Sequence, residues 1–313
     1  MKSQFIKSSL SLSLIIMLSA IAACAPAPAD MPASPTRFTD QLGRVVTLQN
    51  PPQRIISLAP SNTEILFALG LDDRIVAVTD YCDYPVEATT KPSIGSYNEP
   101  NIEEVVALSP SLILATSIHE ERIIPQLEER GMTVFALTPR TTDEVLEAIL
   151  LVGEVAGKRE EASGLVAEIR NRIKAVTDKT ANLTETEKPR VFYTVWHDPL
   201  TAPGSGTFPH DLIGKAGGIN IAQDLIGDYP TMSLEAVIAA DPEVMIAGVN
   251  NGTLEDLNLH FIRTEPRLRD ISARQNNRVY GIDGNLTNRP GPRIVEGLEE
   301  LARMIHPEIF RSN

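Results

Sequence analysis

Lys158–Asn182, the stretch KREEASGLVAEIRNRIKAVTDKTAN, determines how the rest of the chain is organised. Its apolar residues recur every three or four positions and so share one helical face: Ala162, Leu165, Val166, Ile169, Ile173 and Val176. The stretch has no proline and only one glycine, so it predicts a single rigid helix about 35 Å long. On the solvent-facing side, Glu168 and Arg172 have the i,i+4 spacing of an ion pair.

The segments before and after this helix repeat one pattern. EEVVALSPSLILA begins at Glu103 and EAVIAADPEVMIA begins at Glu235, an offset of 132 residues that stays constant along both. In each, an acid opens a short helix, a proline ends it and a buried strand follows. A second correspondence joins a strand and helix near 132–142 to a strand and helix near 278–292. A chance match of short apolar runs is the alternative, but the common order favours a duplicated α/β lobe.

The N-terminal residues have the parts of a secretion signal. Lys2 and Lys7 give a basic start, and an apolar run over residues 10–23 ends in small side chains before Cys24. The run is too short and too interrupted by serine to span a membrane comfortably. Ile-Ala-Ala-Cys at positions 21–24 resembles the bacterial lipobox, which implies a lipid on Cys24; an ordinary signal peptide with an incidental cysteine is the alternative.

These features divide the chain into five parts. We predict a signal peptide (1–23), a lipidated N-terminus with a Pro/Ala-rich extended tether (24–37), an N-terminal α/β lobe (38–157), the connecting helix (158–187) and a C-terminal α/β lobe (188–313). The first lobe is expected to start with a small β-hairpin over residues 38–48.

Charge and cysteine usage exclude several kinds of partner and cross-link. The formal charge is −13 at pH 7, and removing residues 1–23 takes away two lysines and no acids, leaving −15. Such a body is unsuited to nucleic acid or to electrostatic adhesion to anionic lipid. With Cys24 lipidated, Cys82 is the remaining thiol, so an intramolecular disulfide is impossible. We expect a monomeric body that its apolar cores hold together.

The first strand and helix of the N-terminal lobe indicate where a ligand binds. The buried strand Arg54–Ala59 is followed by Ser61–Glu64, which has capping-box spacing. A strand leading into a helix aims free N–H groups at the carboxyl edge of the sheet, where α/β proteins bind ligands. Ser61 and Asn62 are therefore candidate ligand contacts, whereas we expect the Glu64 side chain only to start the helix.

Aromatic side chains follow several predicted strands, although Phe, Trp and Tyr make up only 5% of the chain. Those at strand exits are Tyr81, Tyr97, Trp196 and Tyr229. Large flat side chains in such positions suit a bulky, partly apolar ligand. The alternative is that each ring packs only its own loop.

Four segments together resemble the substrate-binding proteins of ABC importers, in the class that handles cobalamin, ferric siderophores and haem. They are RIISLAPSNTE from Arg54, YCDYP from Tyr81, PNIE from Pro100 with the SPSLILA that follows, and NRPGPR from Asn288. The resemblance covers nearly everything after residue 50. It implies a class III periplasmic binding protein of the helical-backbone metal-receptor type: two Rossmann-like lobes joined by a single long rigid helix, with one ligand between them. It implies neither an enzyme nor a resident cofactor.

The resemblance also implies roles for single residues. Glu103 and Glu235 match the acids that the two lobes offer to arginines of a permease dimer, although the helix dipole alone favours an acid there. Tyr81, Tyr97, Trp196 and Tyr229 match positions where cobalamin-binding members place aromatics, and Arg289 matches a basic position near the same cleft. The expected location is the periplasm or the outer face of the cytoplasmic membrane, with the body held by its lipid anchor.

YCDYP and the closing RPGPR most resemble the corrinoid-binding members, so the resemblance implies cobalamin or a related corrinoid as the ligand, and a flat, amide-edged corrin also suits tyrosines. Anionic ferric siderophores would call for several basic groups, and these loops supply chiefly Arg289. Haem would call for an iron ligand, and Tyr81, Tyr97 and His197 keep that possibility open.

Two further classes are less favoured. A zinc- or manganese-binding lipoprotein would need about three histidines plus a carboxylate to converge, but the histidines at 119, 197, 210, 260 and 306 are scattered. An anchored hydrolase would need a nucleophile elbow, a zincin motif or a P-loop, and the sequence contains none of these patterns. We therefore expect no metal site and no catalytic residues.

Overall fold

The structure is a computed structural model that describes residues 35–249 and 257–310. The predicted signal peptide, Cys24 and most of the predicted tether lie outside these ranges. No helix within the two ranges combines the length and apolar character needed to cross a membrane.

Two four-stranded sheets and one hairpin make up most of the β-structure. The strands are β1 Thr36–Thr39, β2 Val45–Leu48, β3 Ile55–Ser57, β4 Ile75–Val78, β5 Leu112–Ala115, β6 Val134–Ala136, β7 Arg190–Thr194, β8 Trp196–His197, β9 Leu200–Thr201, β10 Ile219–Asn220, β11 Val244–Val249 and β12 Val279–Asp283. The expected lead-in hairpin is confirmed, because β1 and β2 pair antiparallel. The strands β8 and β9 form a second, very short antiparallel pair.

The helices alternate with the strands. They are α1 Pro60–Ala68, α2 Ile102–Ala107, α3 Ile123–Glu128, α4 Thr142–Ala156, α5 Arg159–Thr180, α6 Phe208–Lys215, α7 Leu234–Ala240, α8 Leu257–Thr264, α9 Ser272–Gln275, α10 Gly284–Asn288, α11 Ile294–Ile305 and α12 Pro307–Phe310. Short 3₁₀ turns cover Asp72–Arg74, Val86–Thr90, Ser117–His119 and Pro266–Leu268.

The two sheets have the same topology, one before α5 and one after it. Their strand orders are β4-β3-β5-β6 and β10-β7-β11-β12, and every neighbouring pair is parallel. The repeat predicted at an offset of 132 residues places Leu112, the first residue of β5, on Val244, the first residue of β11. The duplicated α/β lobe is therefore confirmed. The exact domain boundaries stay a prediction.

Apolar packing covers both faces of each sheet. Alternate residues of the central strands, such as Ile113 and Met245, point into separate cores on the outer face of each lobe. Their neighbours, such as Leu114 and Ile246, join one core that also includes residues of α4, α5, α6 and α11. The lobes therefore share a core and touch directly, because the helices on their inner sides must bury their apolar faces.

The helix α5 behaves as the sequence predicts on its apolar side. It has 22 residues, which makes it about 33 Å long, and it buries the predicted stripe that includes Val166 and Ile169. The expected pair of Glu168 with Arg172 is not the main contact, because the pKa of Arg172 is raised chiefly by its hydrogen bonds to Glu299 and only to a smaller extent by the charge of Glu168. The Arg172 guanidinium instead donates to both oxygens of Glu299 on α11, at 2.9 and 3.0 Å. A bidentate arginine–carboxylate contact is stronger than an exposed i,i+4 pair.

The start of α1 differs from the predicted capping box. Ala59 is the N-cap, Pro60 begins the helix, and no side chain caps it. Proline favours the first helical position because its missing N–H needs no partner there. The Asn62 amide is free to donate to the carbonyl of Ala115 at the end of β5, at 3.0 Å.

Candidate ligand-binding cleft

Two adjoining cavities lie among loops that follow the strands of both sheets. One has a volume of about 310 Å³ and the other about 290 Å³. They share four lining residues, Ser61, Tyr97, Asn288 and Pro290. Since the first two belong to the N-terminal lobe and the last two to the C-terminal lobe, the cavities form one cleft between the lobes. Carboxyl ends of parallel strands are where α/β sheets bind ligands.

Tyr97 forms the central wall of this cleft, and His119 supports it from behind. The Tyr97 hydroxyl lies 3.3 Å from the hydroxyl of Thr116, and its ring meets the His119 ring edge-on at 5.4 Å. His119 is fully buried. Its Nδ1 accepts from the Thr116 backbone N–H at 3.1 Å, and its Nε2 lies 2.8 Å from the Tyr97 carbonyl. The neutral ring with a proton on Nε2 satisfies both contacts.

The loop YCDYP sends successive side chains to different places. Tyr81 is 60% exposed and lines the 310 Å³ cavity. Cys82 points into the core, where the Thr63 hydroxyl donates to its sulfur at 3.1 Å and burial raises the pKa of the thiol. The Tyr84 ring lies under the Arg293 guanidinium, 3.8 Å from the ring centre. The motif therefore positions one ring at the cavity and anchors it to the lobe.

Arg289 enters the same cavity from the C-terminal lobe. Its Nη1 donates to Asp83 Oδ1 across the lobe boundary at 2.5 Å. Burial would raise the pKa of Asp83, but the hydrogen bonds and the charge of Arg289 outweigh it, and the pKa falls below its usual range. Asp83 is therefore an anion and Arg289 is a neutralised cation.

Glu64 is not merely a helix-start residue. Its carboxylate accepts two hydrogen bonds from Arg293 of the other lobe, at 2.6 and 3.0 Å, and it is only 4% exposed. Burial raises the pKa of Glu64, while the hydrogen bonds and charge of Arg293 oppose that change. The two arginines of NRPGPR thus each bind an acid of the N-terminal lobe.

The second cavity contains a similar pair with the lobes exchanged. Arg140 belongs to the N-terminal lobe, and its guanidinium donates to Asp228 of the C-terminal lobe and to the Gly206 carbonyl at 2.8 Å. Tyr229, the neighbour of Asp228, lines this cavity with its ring half exposed.

The structure brings most of the predicted ligand contacts together. Ser61, Tyr81, Tyr97 and Arg289 line the first cavity, and Tyr229 lines the second. Trp196 and Asn62 line neither of these two cavities. The Trp196 ring donates to the Asp198 carbonyl at 2.7 Å and packs on His197, while the Asn62 side chain is turned inward to β5. Ligand contact by any of these residues stays a prediction.

Sequence reasoning missed several residues of the cleft. Thr116 follows β5, Thr138 and Arg140 follow β6, and Asn288 precedes the predicted Arg289. The rule that ligands bind at carboxyl ends of parallel strands, applied to every strand, would have selected the first three. No local signal would have identified Asp228 as the partner of Arg140.

The predicted docking acids occupy equivalent exposed positions. Glu103 lies in the first turn of α2, where Asn101 caps the helix, and Glu235 lies in the first turn of α7, where Ser233 caps it. Both helices lead into parallel strands and run back across the sheet, so they start at the carboxyl edge. The two acids therefore lie on the same edge of the sheets as the cleft.

No three histidine, cysteine, aspartate or glutamate side chains converge as a metal site within residues 35–249 and 257–310. His119 is buried behind Tyr97, and His306 binds the Gly217 carbonyl at 3.0 Å. The described part of the chain thus gives no geometric support for a zinc or manganese site.

Residues 55–286 match the family model described as periplasmic binding protein. The chain belongs to the periplasmic binding protein family. It is 32% identical over 285 residues to the uncharacterized ABC transporter substrate-binding lipoprotein YvrC of Bacillus subtilis, which covers 88% of this chain and 87% of that protein. It is 30% identical over 311 residues to a cobalamin-binding protein of Halobacterium salinarum, covering 94% and 84% of the two chains.

Solved structures have the same fold. The periplasmic vitamin B12 binding protein BtuF of Vibrio cholerae is 28% identical with a TM-score of 0.71, covering 84% of this chain and 99% of that one. The periplasmic haem-binding protein RhuT of Roseiflexus sp. RS-1 is 26% identical with a TM-score of 0.72, covering 82% and 99%. The predicted family and the class III fold are both confirmed.

Proposed function

We propose that this protein is an extracytoplasmic solute-binding lipoprotein that captures a corrinoid, cobalamin, between its lobes and delivers it to an ABC importer. The observation that carries the proposal is a cleft bordered by three tyrosines in which both lining arginines are already neutralised by aspartates. The protein performs no chemical step in this function: it binds, closes slightly and docks.

The composition of the cleft supports a flat ligand with an amide-rich edge. Tyr81, Tyr97 and Tyr229 offer ring surface, which suits the face of a macrocycle. Asn98, Asn288 and Thr116 offer neutral donors and acceptors around it. Each cavity is near the lower end of the range of about 300–1,000 Å³ for small-molecule sites, and the two adjoin. A corrin spanning both would use the rings and the neutral polar groups together.

The relatives support the same class of ligand. A protein that is 30% identical is named cobalamin-binding, and a solved structure that is 28% identical is a vitamin B12 binding protein.

The relative named as an ABC transporter substrate-binding lipoprotein supports delivery to an importer and supports Cys24 as the lipid anchor. Replacing Cys24 by serine should release the protein from membranes in cell fractionation, and retention would contradict the anchor.

Haem is the second candidate. Tyr81 is 60% exposed and lines the first cavity, and an exposed phenol can bind ferric iron. RhuT, which is 26% identical, is named as a periplasmic haem-binding protein. A tyrosinate ligand would make haem binding depend on the Tyr81 hydroxyl, whereas corrin stacking would depend on the ring alone.

Absorbance spectroscopy distinguishes these ligands directly. Protein purified from its native host should show the corrinoid absorbance bands. Ligand-free protein titrated with cyanocobalamin and with haemin should bind cyanocobalamin with submillimolar affinity. A Soret band in the native protein, with no corrinoid binding in the titration, would replace cobalamin by haem.

Tyr97 tests how the ligand is held. Replacing Tyr97 by alanine should weaken cyanocobalamin binding by about 1–3 kcal/mol, since a stacking ring is lost. Replacing it by phenylalanine keeps the ring and should leave most of the affinity intact. Equal losses in the two variants, measured by calorimetry, would show that the ring does not stack on the ligand.

A further inference from the structure

The two arginines that line the cleft cavities are each bound to an aspartate of the opposite lobe. Arg289 of the C-terminal lobe binds Asp83 of the N-terminal lobe, and Arg140 of the N-terminal lobe binds Asp228 of the C-terminal lobe. One such pair lies at each cavity, in reciprocal orientation. Neither pair is required by the fold of a single lobe.

The Arg289 pair leaves little of the guanidinium available to a ligand. The Arg289 side chain is only 16% exposed, and it donates to both oxygens of Asp83, at 2.5 and 3.3 Å. Glu64 Oε1 lies 4.0 Å from Nη1 of Arg289, the same nitrogen that donates to Asp83, but that carboxylate is held by two hydrogen bonds from Arg293. Asp83 is therefore the group that neutralises Arg289 in the cavity.

The Arg140 pair is more exposed to solvent, but its guanidinium is also already hydrogen-bonded. Both side chains are 54% exposed, and the guanidinium also donates to the Gly206 carbonyl. A carboxylate of a ligand would have to displace Asp228 from this guanidinium before it could bind there. Displacing this ion pair offsets part of the electrostatic gain that an anionic ligand would otherwise obtain.

We propose that Asp83 and Asp228 determine ligand specificity by charge: they mask both cleft arginines, so that the cleft accepts a neutral macrocycle and discriminates against anionic metal chelates. This inference rests on the proposed function for its neutral ligand. Specificity then arises partly because the cleft offers an anionic ligand no unpaired arginine. The aspartates need not touch the neutral ligand to do this.

The test compares anionic and neutral probes on the same variants. Asp83→Asn combined with Asp228→Asn should raise affinity for haemin, which carries propionates, and for a ferric tris-catecholate by about tenfold or more. Binding of cyanocobalamin should change by much less. Adding salt should reduce the gain for the anions, because exposed charge interactions are screened.

Matched controls separate masking from the general effect of removing negative charge. Asp80→Asn combined with Asp224→Asn makes the same charge change in the same two loops, at aspartates that contact neither arginine through any observed hydrogen bond. Adding Arg289→Gln and Arg140→Gln to the Asp83 and Asp228 variant should abolish the gain. Thermal melts check that every variant is folded.

Two results would overturn the inference. One is an equal gain in the Asp80 and Asp224 control; the other is a gain that persists when both arginines are removed. Failure of the wild-type protein to bind cyanocobalamin would overturn the proposed ligand instead, and the comparison of haemin affinity between variants would still decide the role of the two aspartates.

Discussion

Glu64 and Arg293 form a largely buried ion pair that joins the lobes. Their side chains are 3% and 14% exposed, and the Arg293 guanidinium also stacks on the ring of Tyr84. An ion pair in such surroundings costs desolvation energy, so removing one partner leaves the other charge buried without compensation. The pair therefore makes stability sensitive to either residue.

Replacing Glu64 by alanine should lower the free energy of unfolding by about 3 kcal/mol, because Arg293 then stays buried and unpaired. Urea denaturation measures this change. The matched control is Asp178→Ala, which removes the exposed pair with Lys174 on α5 and should cost no more than about 0.5 kcal/mol. Similar losses in both variants would mean that the Glu64 pair is effectively solvated.

His119 makes stability depend on pH near neutrality. Burial lowers the pKa of His119, and its backbone hydrogen bonds to Tyr97 and Thr116 oppose this only in part. The unfolded state therefore binds more protons than the folded state as the pH falls through the ordinary histidine pKa of about 6.5. The stabilising contribution of the neutral ring is complete above that pH and is lost below it.

Unfolding free energies measured from about pH 8 to pH 5 should consequently decline in the wild type through the region of about pH 6.5, and less steeply in His119→Gln. Burial also lowers the pKa of His210, so this histidine contributes to the pH dependence of the free energy of unfolding over the same pH range. The variant His210→Gln measures that second contribution separately. NMR titration of the ring protons gives the His119 pKa directly. A normal or raised value would contradict the prediction.

At the scale of secondary-structure elements, the contact of α4 with α5 depends on a glycine. A Cβ at Gly153 would lie 2.3 Å from the Cβ of Ala162 and 2.9 Å from the carbonyl oxygen of Lys158. The two helices can therefore approach closely only because this residue has no side chain. Gly164, on the exposed side of α5, has no atom within 4 Å of such a position.

These glycines predict opposite effects of the same substitution. Gly153→Ala should destabilise the protein by about 1–3 kcal/mol, since the helices must move apart. Gly164→Ala should stabilise it by about 0.5–1 kcal/mol, because alanine is the better helix former. Thermal unfolding of both variants measures the difference. Stabilisation by Gly153→Ala would show that the α4–α5 contact relaxes at little cost.

At the scale of the whole molecule, the duplication gives the protein two similar faces. Glu103 and Glu235 are exposed acids at equivalent positions of the two lobes, near the edge of the sheets that carries the cleft. The proposed permease dimer would have two-fold symmetry, and a pair of equivalent acids suits a partner of that symmetry. The separate positions of these acids and the cleft tyrosines allow docking and ligand binding to be tested independently.

Reversing both charges, Glu103→Arg with Glu235→Arg, should abolish uptake of labelled cyanocobalamin while leaving its affinity for the purified protein unchanged. The control reverses Glu160 and Glu161, which also lie in the first turn of a helix, α5, and should transport normally. Weakened ligand binding in the double variant would show that the two acids have another role.

The sequence by itself determined the features that depend on neighbouring residues. The apolar stripe of α5, the 132-residue repeat and the tyrosines at strand exits follow from periodicity and turn residues, which act over a few positions. The family also followed from local segments, because each keeps its residue types together. In these respects the prediction and the structure agree.

Only the tertiary structure decided which charged groups meet. Arg140 and Asp228 are 88 residues apart, Asp83 and Arg289 are 206 apart, and Glu64 and Arg293 are 229 apart. The same side chains would suit a helix cap or a solvated surface, as the expectation for Glu64 shows. Their pairing depends on how the shared core orients one lobe against the other, and no periodic pattern along the chain encodes that orientation.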